Sequence, residues 1–162
     1  FGLAKPSTIA IDGPVASGKT AVGGLLALRL AYRFIDTGVM YRAVTWAALR
    51  DGVSPEDETE VTALANRIQI EVAYSDTLGG PRIMVDGREV AGELRSRDVD
   101  GWVSLVSSYS GVRRAMVARQ RDMAREGRIV MVGRDIGTVV LPDADLKVFL
   151  TASRRGARPA SL

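Results

Sequence analysis

Apolar runs of strand length alternate with stretches of helical spacing in the first third of the chain. Thr8 to Ile11 predicts a buried strand, and the apolar spacing from about Lys19 to Ala31 predicts a helix. Arg33 to Ile35 predicts a second short strand, and a second helix follows to about Leu49. Because strands that alternate with helices are typical of βαβ units, we expect an α/β fold with a parallel sheet and helices on both faces.

The last third of the chain returns to the same pattern. Two helices are predicted, from Asp98 to Ser108 and from Ser110 to Ala124, and Gly127 is a natural helix stop. Ile129 to Val132 is a continuous apolar run, which predicts a central parallel strand. After a turn over residues 139–145, Leu146 to Leu150 predicts another buried parallel strand.

Two adjacent glycines, Gly23 and Gly24, stand inside the first predicted helix. Each glycine costs a helix ~1 kcal/mol relative to alanine. Tight packing of this helix against the sheet would explain why the helix tolerates them.

The pattern changes after Gly52. Ser54 to Asp57 predicts a helix start, with Ser or Asp as the cap and proline at an early position, and the helix extends to about Ile68. Beyond it, Ile70 to Ala73 alternates like a half-exposed strand.

An Asp-Gly pair between two short alternating runs predicts a β-hairpin. Arg82–Val85 and Arg88–Val90 are its strands, Asp86-Gly87 is its turn, and a loop at 76–81 precedes it. Because an antiparallel ribbon does not belong inside a parallel sheet of βαβ units, we interpret residues 54–99 as an insertion that closes over a second substrate. Residues 1–53 and 100–153 would then form the core of the fold.

Composition excludes several kinds of site. The 162 residues are 46% hydrophobic and 25% charged, as in ordinary globular domains. The chain has no cysteine and no histidine, which excludes thiol nucleophiles and Cys-based zinc sites and removes the commonest general base. No apolar run approaches the ~20 residues of a membrane helix, so we expect no membrane partner and a soluble, cytoplasmic protein.

The net charge of +3 resides at the end of the chain. Arg154, Arg155 and Arg158 are three of the 22 basic residues, and the remaining basic residues equal the 19 acidic ones in number. Because the body of the chain is neutral, we expect no nucleic-acid partner.

A phosphate-binding loop is predicted between the first strand and the first helix. The pattern G-x-x-x-x-G-K-[ST] is matched by Gly13, Pro14, Val15, Ala16, Ser17, Gly18, Lys19 and Thr20. The backbone N–H groups of such a loop and the helix dipole attract a polyphosphate. We expect Lys19 to reach the β- and γ-phosphates of a nucleotide and the Thr20 hydroxyl to ligate Mg²⁺. The alternative is a glycine-rich turn with a lone lysine.

A second polar cluster follows the second predicted strand. Asp36 and Thr37 end the strand, and Tyr41 and Arg42 fall one turn into the next helix. These groups meet at the carboxyl end of a sheet, where open α/β folds bind their ligands, and Arg42 is suited to a phosphate. The alternative is an N-capped helix with a solvated arginine and a tyrosine packed on the core.

A third cluster follows the central strand. Arg134 and Asp135 emerge between Gly133 and Gly137 and point toward the crevice that holds the phosphate loop. Ser104 and Arg113 lie near the junction of the last two helices. The remaining arginines of that region are interpreted as a solvated face; they are Arg114, Arg119, Arg121, Arg125 and Arg128.

These motifs together resemble bacterial cytidylate kinases. The matching segments are Ile11 to Pro14 with Ser17 to Thr20, Asp36 to Arg42, Glu89-Val90 with Glu93 to Arg95, and Gly133 to Ala144. The phosphate loop occurs in many families, whereas its combination with Asp-Thr-Gly…Tyr-Arg and Gly-Arg-Asp-Ile-Gly-Thr-Val-Val is specific. The resemblance implies a P-loop fold of the nucleoside monophosphate kinase type, with residues 54–99 as the insertion that binds the acceptor.

The resemblance also implies the reaction and its residues. The γ-phosphoryl group of ATP would pass to CMP or dCMP with Mg²⁺, and the catalytic residues would be Lys19, Arg42 and Arg134. Arg42 and Arg134 would bind the acceptor phosphate and Tyr41 would lie near the sugar. Ser104, Arg113 and Asp135 would contact the cytosine edge. The implied acceptor-binding set is Asp36, Thr37, Tyr41, Arg42, Ser104, Arg113, Arg134 and Asp135.

The end of the chain departs from the family pattern. After Ser153 the family continues into a helix, an arginine-rich lid, a last strand and a final helix, whereas residues 154–162 form an irregular basic tail broken by Gly156 and Pro159. We expect a truncated, monomeric chain whose phosphoryl transfer is impaired. The alternatives are a silent nucleotide-binding fragment, a protein whose sheet edge recruits a partner, or another small-molecule P-loop kinase.

Overall fold

The structure is a computed structural model that describes residues 4–74 and 81–152. The predicted basic tail at 154–162 and most of the predicted loop at 76–81 lie outside the described residues. The chain divides into two compact units. One contains residues 4–34 and 128–152, and the other contains residues 35–74 and 81–127.

Strands and helices follow the predicted order closely. In chain order they are β1 (Thr8–Asp12), α1 (Lys19–Leu30), β2 (Arg33–Asp36), α2 (Thr37–Arg50), α3 (Glu58–Arg67), β3 (Ile70–Tyr74), β4 (Pro81–Val85), β5 (Arg88–Glu89), α4 (Arg97–Ser108), α5 (Ser110–Ala124), β6 (Ile129–Gly133) and β7 (Leu146–Phe149). A 3-10 turn at Glu93–Arg95 precedes α4, and a π-helical turn at Ile136–Val140 follows β6. The sequence pattern does not predict the π-helical turn.

The expected parallel sheet is confirmed, with the strand order β2-β6-β1-β7. β1 pairs in parallel with β6, in a register that runs from Thr8 opposite Ile129 to Asp12 opposite Gly133. All five residues of β6 are buried, as expected of a central strand. The carboxyl ends of β1 and β6 therefore lie side by side.

Helix α1 packs on this sheet, and Gly23 is the residue that permits the close approach. A Cβ atom at Gly23 would lie 2.6 Å from Cγ1 of Val132 and 2.9 Å from the Phe34 ring. Both distances are too short for a side chain at this position unless the neighbouring groups move. Gly24 differs, because a Cβ there would meet only the Phe34 ring, at 3.8 Å. Tight packing on the sheet therefore explains Gly23 but not Gly24.

The prediction that the last strand is buried is wrong. Leu146, Lys147 and Phe149 of β7 are exposed, and Phe149 keeps 68% of its surface accessible. β7 pairs in parallel with β1 and is the last strand of the sheet order, so among the described residues it is an edge strand. The sequence pattern identifies an apolar strand but cannot tell a covered position from an edge.

A row of large apolar side chains is also exposed on α1. Val22, Leu25 and Leu28 are spaced by three residues on this helix, and Leu28 is 70% exposed. Leu26 of the same helix is partly buried and packs on the cluster of Ile9, Ile11, Ala27, Val130 and Val132. The helix thus presents apolar residues on two faces.

The second unit contains a helical layer and the small antiparallel sheet that the sequence predicts. β4 pairs with β3 and β5 in antiparallel fashion, and no strand of the parallel sheet joins them among the described residues. Asp86 and Gly87 form the hairpin turn with φ angles of 49° and 79°, which is the backbone twist that an Asp-Gly turn provides. The predicted hairpin is confirmed.

Two guanidinium groups lie over the ring of Trp46 on α2. The Cζ atom of Arg50 lies 5.2 Å and that of Arg88 lies 5.5 Å from the centre of the indole ring. Arg88 belongs to β5, so these cation–π contacts join the hairpin to α2.

Two local predictions in this unit need correction. Helix α3 begins at Glu58, with the Asp57 carboxylate accepting the N–H of Glu60, so Pro55 lies before the helix rather than in its first turn. Arg119 is not part of a solvated face: its Nη2 atom donates to the Ala65 carbonyl oxygen at 2.9 Å, and burial lowers the pKa of its guanidinium. A free carbonyl at the end of α3 is satisfied in this way.

No helix in the ranges 4–74 and 81–152 combines the length and apolar character that a membrane crossing requires.

Candidate functional site

The segment between β1 and α1 is a compact loop that leaves no room for a side chain at its first residue. A Cβ atom at Gly13 would lie 2.6 Å from the Leu150 carbonyl oxygen and 2.7 Å from the Ser17 hydroxyl. The Ser17 N–H donates to the Pro14 carbonyl oxygen at 3.2 Å, which closes a turn. Gly18 then enters α1 with a φ of 84°, a conformation that favours glycine.

Two polar side chains mark this loop as a binding region. The ammonium group of Lys19 donates to the Pro14 carbonyl oxygen at 3.1 Å, so the lysine folds back over the loop. The Ser17 hydroxyl is buried and finds no hydrogen-bond partner among the described residues. Thr20 follows Lys19 in the first turn of α1 and is exposed. N–H groups, a cation and an unpaired hydroxyl are the features expected of an anion site.

Asp12, the last residue of β1, bonds to the turn that follows β6. Its Oδ1 atom accepts the N–H of Ile136 at 2.7 Å, and its Oδ2 atom accepts the N–H of Gly137 at 2.8 Å. The side chain is buried, with 8% of its residue surface exposed. Sequence reasoning gives Asp12 no role, and its only signal is an acidic residue directly between a buried strand and the phosphate loop.

Arg134 and Asp135 stand between β6 and the π-helical turn. Arg134 is exposed and Asp135 is half-buried. The Asp135 carbonyl oxygen accepts the N–H of Val139 at 2.9 Å and that of Val140 at 3.2 Å. The two predicted site residues therefore leave the sheet beside the start of the phosphate loop, in the same compact unit.

The second predicted cluster lies at the start of α2. The Asp36 carboxylate accepts the N–H of Gly38 at 3.1 Å, so Asp36 caps the helix. Thr37 is 6% exposed, and Tyr41 is half-buried one turn later. The N-cap expected at the start of this helix is therefore present.

Arg42 is held in place from two sides. Its Nη1 atom donates to the Leu94 carbonyl oxygen at 3.0 Å and to the Asp100 carboxylate at 2.5 Å. The Asp100 side chain is 54% exposed, on the first turns of α4. Both contacts use the same nitrogen of the guanidinium. Asp100 is a further residue that the sequence does not single out.

Ser104 and Arg113 lie on two consecutive helices. Ser104 is exposed on α4, where its carbonyl oxygen accepts the Ser107 hydroxyl at 3.0 Å, and Arg113 is half-buried on α5. Together with Thr37, Tyr41 and Arg42 they belong to the unit of residues 35–127, whereas the phosphate loop, Arg134 and Asp135 belong to the other.

The described residues contain no group of three or more acidic side chains that could hold a metal ion by themselves. Mg²⁺ is commonly held by one or two protein ligands together with substrate phosphates. A single hydroxyl at the start of α1, such as that of Thr20, is compatible with this mode of Mg²⁺ binding.

Comparison with known proteins gives one family. The sequence model of cytidylate kinases matches residues 9–159. The cytidylate kinase of Roseiflexus castenholzii is 49% identical over 154 residues, which cover 93% of this chain and 66% of that protein. The cytidylate kinase of Chloroflexus aggregans is 48% identical, over 91% of this chain and 65% of that protein.

The match also extends to a fused protein. A bifunctional pantoate ligase/cytidylate kinase of a Synechococcus strain is 48% identical over 146 residues, or 90% of this chain and 27% of that protein. Relative to the single-function relatives, the chain spans about two thirds of their length. The phosphate loop, the parallel sheet and the separate antiparallel sheet agree with a P-loop nucleoside monophosphate kinase. The chain belongs to the cytidylate kinase family.

Proposed function

We propose that this chain transfers the γ-phosphoryl group of ATP to CMP or dCMP. An oxygen of the acceptor phosphate attacks the γ-phosphorus, and the bond from that phosphorus to the bridging oxygen breaks. ADP leaves with the electron pair, and the acceptor becomes a nucleoside diphosphate. The observation that carries this proposal is the phosphate loop at the end of β1, joined through Asp12 to the turn that presents Arg134 and Asp135.

The proposed donor site is the loop from Gly13 to Thr20. Its N–H groups and the first turn of α1 bind the phosphates of ATP. Lys19 exchanges its bond with the Pro14 carbonyl oxygen for the β- and γ-phosphates, where its charge opposes the charge that develops on the transferred group. The unpaired Ser17 hydroxyl supplies a further donor at the loop.

We propose Mg²⁺ as the metal ion, with Thr20 as its protein ligand. The ion would neutralise phosphate charge when it is bound. The Thr20 hydroxyl, next to Lys19 in the first turn of α1, would hold the ion together with the nucleotide phosphates, as is usual for Mg²⁺.

We propose for the acceptor the side chains that the resemblance implies. Arg42 and Arg134 bind the acceptor phosphate, and the bonds of Arg42 to Asp100 and to the Leu94 carbonyl oxygen hold its guanidinium ready for this role. Tyr41 lies near the sugar, with Asp36 and Thr37 at the start of the same helix. We assign the cytosine edge to Ser104, Arg113 and Asp135.

Asp135 gives the proposed base selectivity. Its carboxylate accepts a hydrogen bond from the exocyclic amine of cytosine, whereas Arg113 and Ser104 donate to the carbonyl oxygen and the ring nitrogen. Uracil has a carbonyl at the amine position and would leave two acceptors facing each other. CMP and dCMP are therefore the favoured acceptors.

The reaction needs no side-chain base, which suits a chain without histidine. The second pKa of a phosphate monoester is ~6, so the attacking oxygen of CMP is already ionised near neutral pH. Positioning of the two nucleotides and neutralisation of the phosphate charge suffice for the phosphoryl transfer. We further propose that the chain acts as a monomer, since no step requires a second copy. We also propose that it acts in the cytoplasm.

The first experiment measures ADP formation with ATP, Mg²⁺ and each of CMP, dCMP, UMP and AMP. We expect turnover with CMP and dCMP, and its loss in Lys19→Ala. Lys5→Ala, which changes an exposed lysine outside the loop, is the matched control and should retain full activity. CMP binding without turnover would instead favour a silent nucleotide-binding chain, and equal turnover with UMP would contradict the proposed acceptor.

A further inference from the structure

The side chain of Asp12 joins the end of β1 to the turn after β6, beyond the point where the backbone pairing of the two strands ends. The ladder between β1 and β6 ends where Asp12 faces Gly133. Beyond this pair the two segments of the chain separate: the segment after β1 enters the phosphate loop, and the segment after β6 continues to Arg134 and Asp135. The Asp12 carboxylate bridges the gap, because its two oxygens accept the N–H groups of Ile136 and Gly137 at 2.7 and 2.8 Å.

The turn after β6 needs such an acceptor. The first N–H groups of any helical turn have no carbonyl partner within the turn itself. Later N–H groups of this π-helical turn bond backward, as Leu141 does to the Ile136 carbonyl oxygen at 2.7 Å. The N–H groups of Ile136 and Gly137 stand at its start, and Asp12 accepts both. One side chain therefore sets where the turn begins.

Because the Asp12 carboxylate is buried, its oxygens need the two hydrogen bonds that the turn donates. A buried ionised group is tolerated only when its oxygens accept hydrogen bonds, and bonds to an ionised acceptor are short and strong. Gly137 is also fitted to the contact: a Cβ atom there would lie 3.3 Å from Oδ2 of Asp12 and 3.2 Å from Cδ of Lys147. Small displacements of the turn are therefore resisted.

We propose that Asp12 is a positioning residue that fixes the Arg134–Asp135 turn relative to the first residue of the phosphate loop. It touches neither nucleotide in this proposal and acts through the residues on the turn. The inference rests on the proposed function, since those residues are assigned to the acceptor. Its consequence is that Asp12 governs the use of CMP as well as of ATP.

The test begins with Asp12→Asn, which keeps the shape of the side chain but offers one acceptor and an amide NH₂ in place of two acceptors. One N–H of the turn would then face a donor. We expect kcat/KM for CMP to fall about tenfold to a hundredfold, with a change in the KM for CMP, and the ratio of CMP to UMP turnover to fall as well. Amide hydrogen exchange at Ile136 and Gly137 should become faster.

Asp145→Asn is the matched control, because Asp145, which precedes β7, is also a carboxylate that accepts two backbone N–H groups of the chain around β1. The Oδ2 atom of Asp145 accepts the N–H groups of Ser7 and Thr8, at 2.7 and 3.2 Å, at the opposite end of β1. Its replacement should lower the melting temperature without changing either KM. If Asp12→Asn behaves the same way when assayed well below its melting temperature, Asp12 is only a structural contact and the inference fails.

A second variant covers the case in which Asp12→Asn does not fold. Gly137→Ala leaves the carboxylate in place but pushes a methyl group into the contact, and we expect the same shift in KM for CMP. If the unmodified chain shows no turnover, the proposed function fails separately. Amide exchange then decides the inference: changes at Ile136 and Gly137 that extend to Arg134 and Asp135 support it, and unchanged exchange at those residues overturns it.

Discussion

Asp135 is the residue whose replacement separates the proposed acceptor from other small molecules. If its carboxylate accepts the exocyclic amine of cytosine, Asp135→Ala removes the group that distinguishes CMP from UMP. We expect the ratio of kcat/KM for CMP to that for UMP to fall about 10-fold to 100-fold, which is the range for one lost polar contact in a binding site. Steady-state kinetics with both acceptors measure this ratio.

Asp143→Ala is the control for this variant, because Asp143 is an exposed carboxylate a short distance along the same segment. Its ratio should equal that of the unmodified chain. An unchanged ratio in Asp135→Ala would point to a P-loop kinase with a different acceptor.

Asp86 carries a second prediction at this scale, on stability rather than activity. The backbone N–H of Gln69, at 2.9 Å, and the guanidinium of Arg50, also at 2.9 Å, lower the pKa of this carboxyl below its ordinary value. A carboxyl with a lowered pKa in the folded state stabilises the protein above the ordinary pKa of ~4, and this stability is lost as the pH falls through the folded pKa.

We therefore expect Asp86→Asn to be less stable than the unmodified chain at pH 7, by about 1 kcal/mol or less because the side chain is 38% exposed. The difference should begin to decrease as the pH falls to about 4, and it should disappear as the pH falls through the lowered folded pKa. Urea unfolding at a series of pH values measures it, and Asp143→Asn serves as the control. A difference that persists in acid would show that the carboxylate charge is not its source.

At the scale of single elements, α1 offers a matched pair of glycines. Gly23 lies against Val132 and Phe34, so a methyl group there must displace the helix, whereas Gly24 has room for one. We expect Gly24→Ala to raise the free energy of unfolding by about 0.5–1 kcal/mol through helix propensity. Gly23→Ala should lower the free energy of unfolding by about 1–3 kcal/mol through overpacking. Chemical denaturation distinguishes the two, and equal effects would contradict the packing of α1.

The sequence predicted these elements well because their signals are local. Apolar spacing identifies α1, α2 and α5 to within a residue or two, and the Asp86-Gly87 pair identifies the hairpin. Choices between equivalent local signals were harder. Asp57 rather than Ser54 caps α3, and nothing in the run of arginines on α5 marks Arg119 as the one that caps the neighbouring helix.

In the candidate site, too, local features are predictable from the sequence and long-range contacts are not. The phosphate loop is a contiguous motif with a fixed shape, so its position at the end of β1 follows from the sequence. Asp12 and Asp100 could not be identified in this way, because their partners are 124 or 125 and 58 residues away. Contacts of this range depend on sheet register and on helix packing, which a pattern of residue types does not contain.

At the scale of the whole molecule, the exposed apolar side chains on α1 predict weak association at concentrations well above those at which the proposed monomer would act. Leu28 is 70% exposed, and Val22 and Leu25 lie on the same helix. We expect Leu28→Lys to lower the tendency of the described chain to associate at high concentration, without loss of stability, since exposed apolar patches favour association. Sedimentation at several concentrations measures this effect.

Leu26→Lys is the comparison, because Leu26 packs on the core cluster of the parallel sheet. This variant should unfold more easily, since it buries an unpaired charge. Equal stability of the two variants would contradict the assigned faces of α1.

The contact of Trp46 with two arginines has an optical consequence. The chain has two tryptophans, and both Trp46 and Trp102 lie in the unit of residues 35–127. Tryptophan emission, excited where tyrosine does not absorb, therefore reports that unit alone, and Trp102→Phe would leave a single tryptophan at the point where the hairpin meets α2. Circular dichroism reports both units at once. Denaturation curves from the two signals should coincide if the molecule unfolds as one cooperative body, and they separate if the two units unfold at different denaturant concentrations.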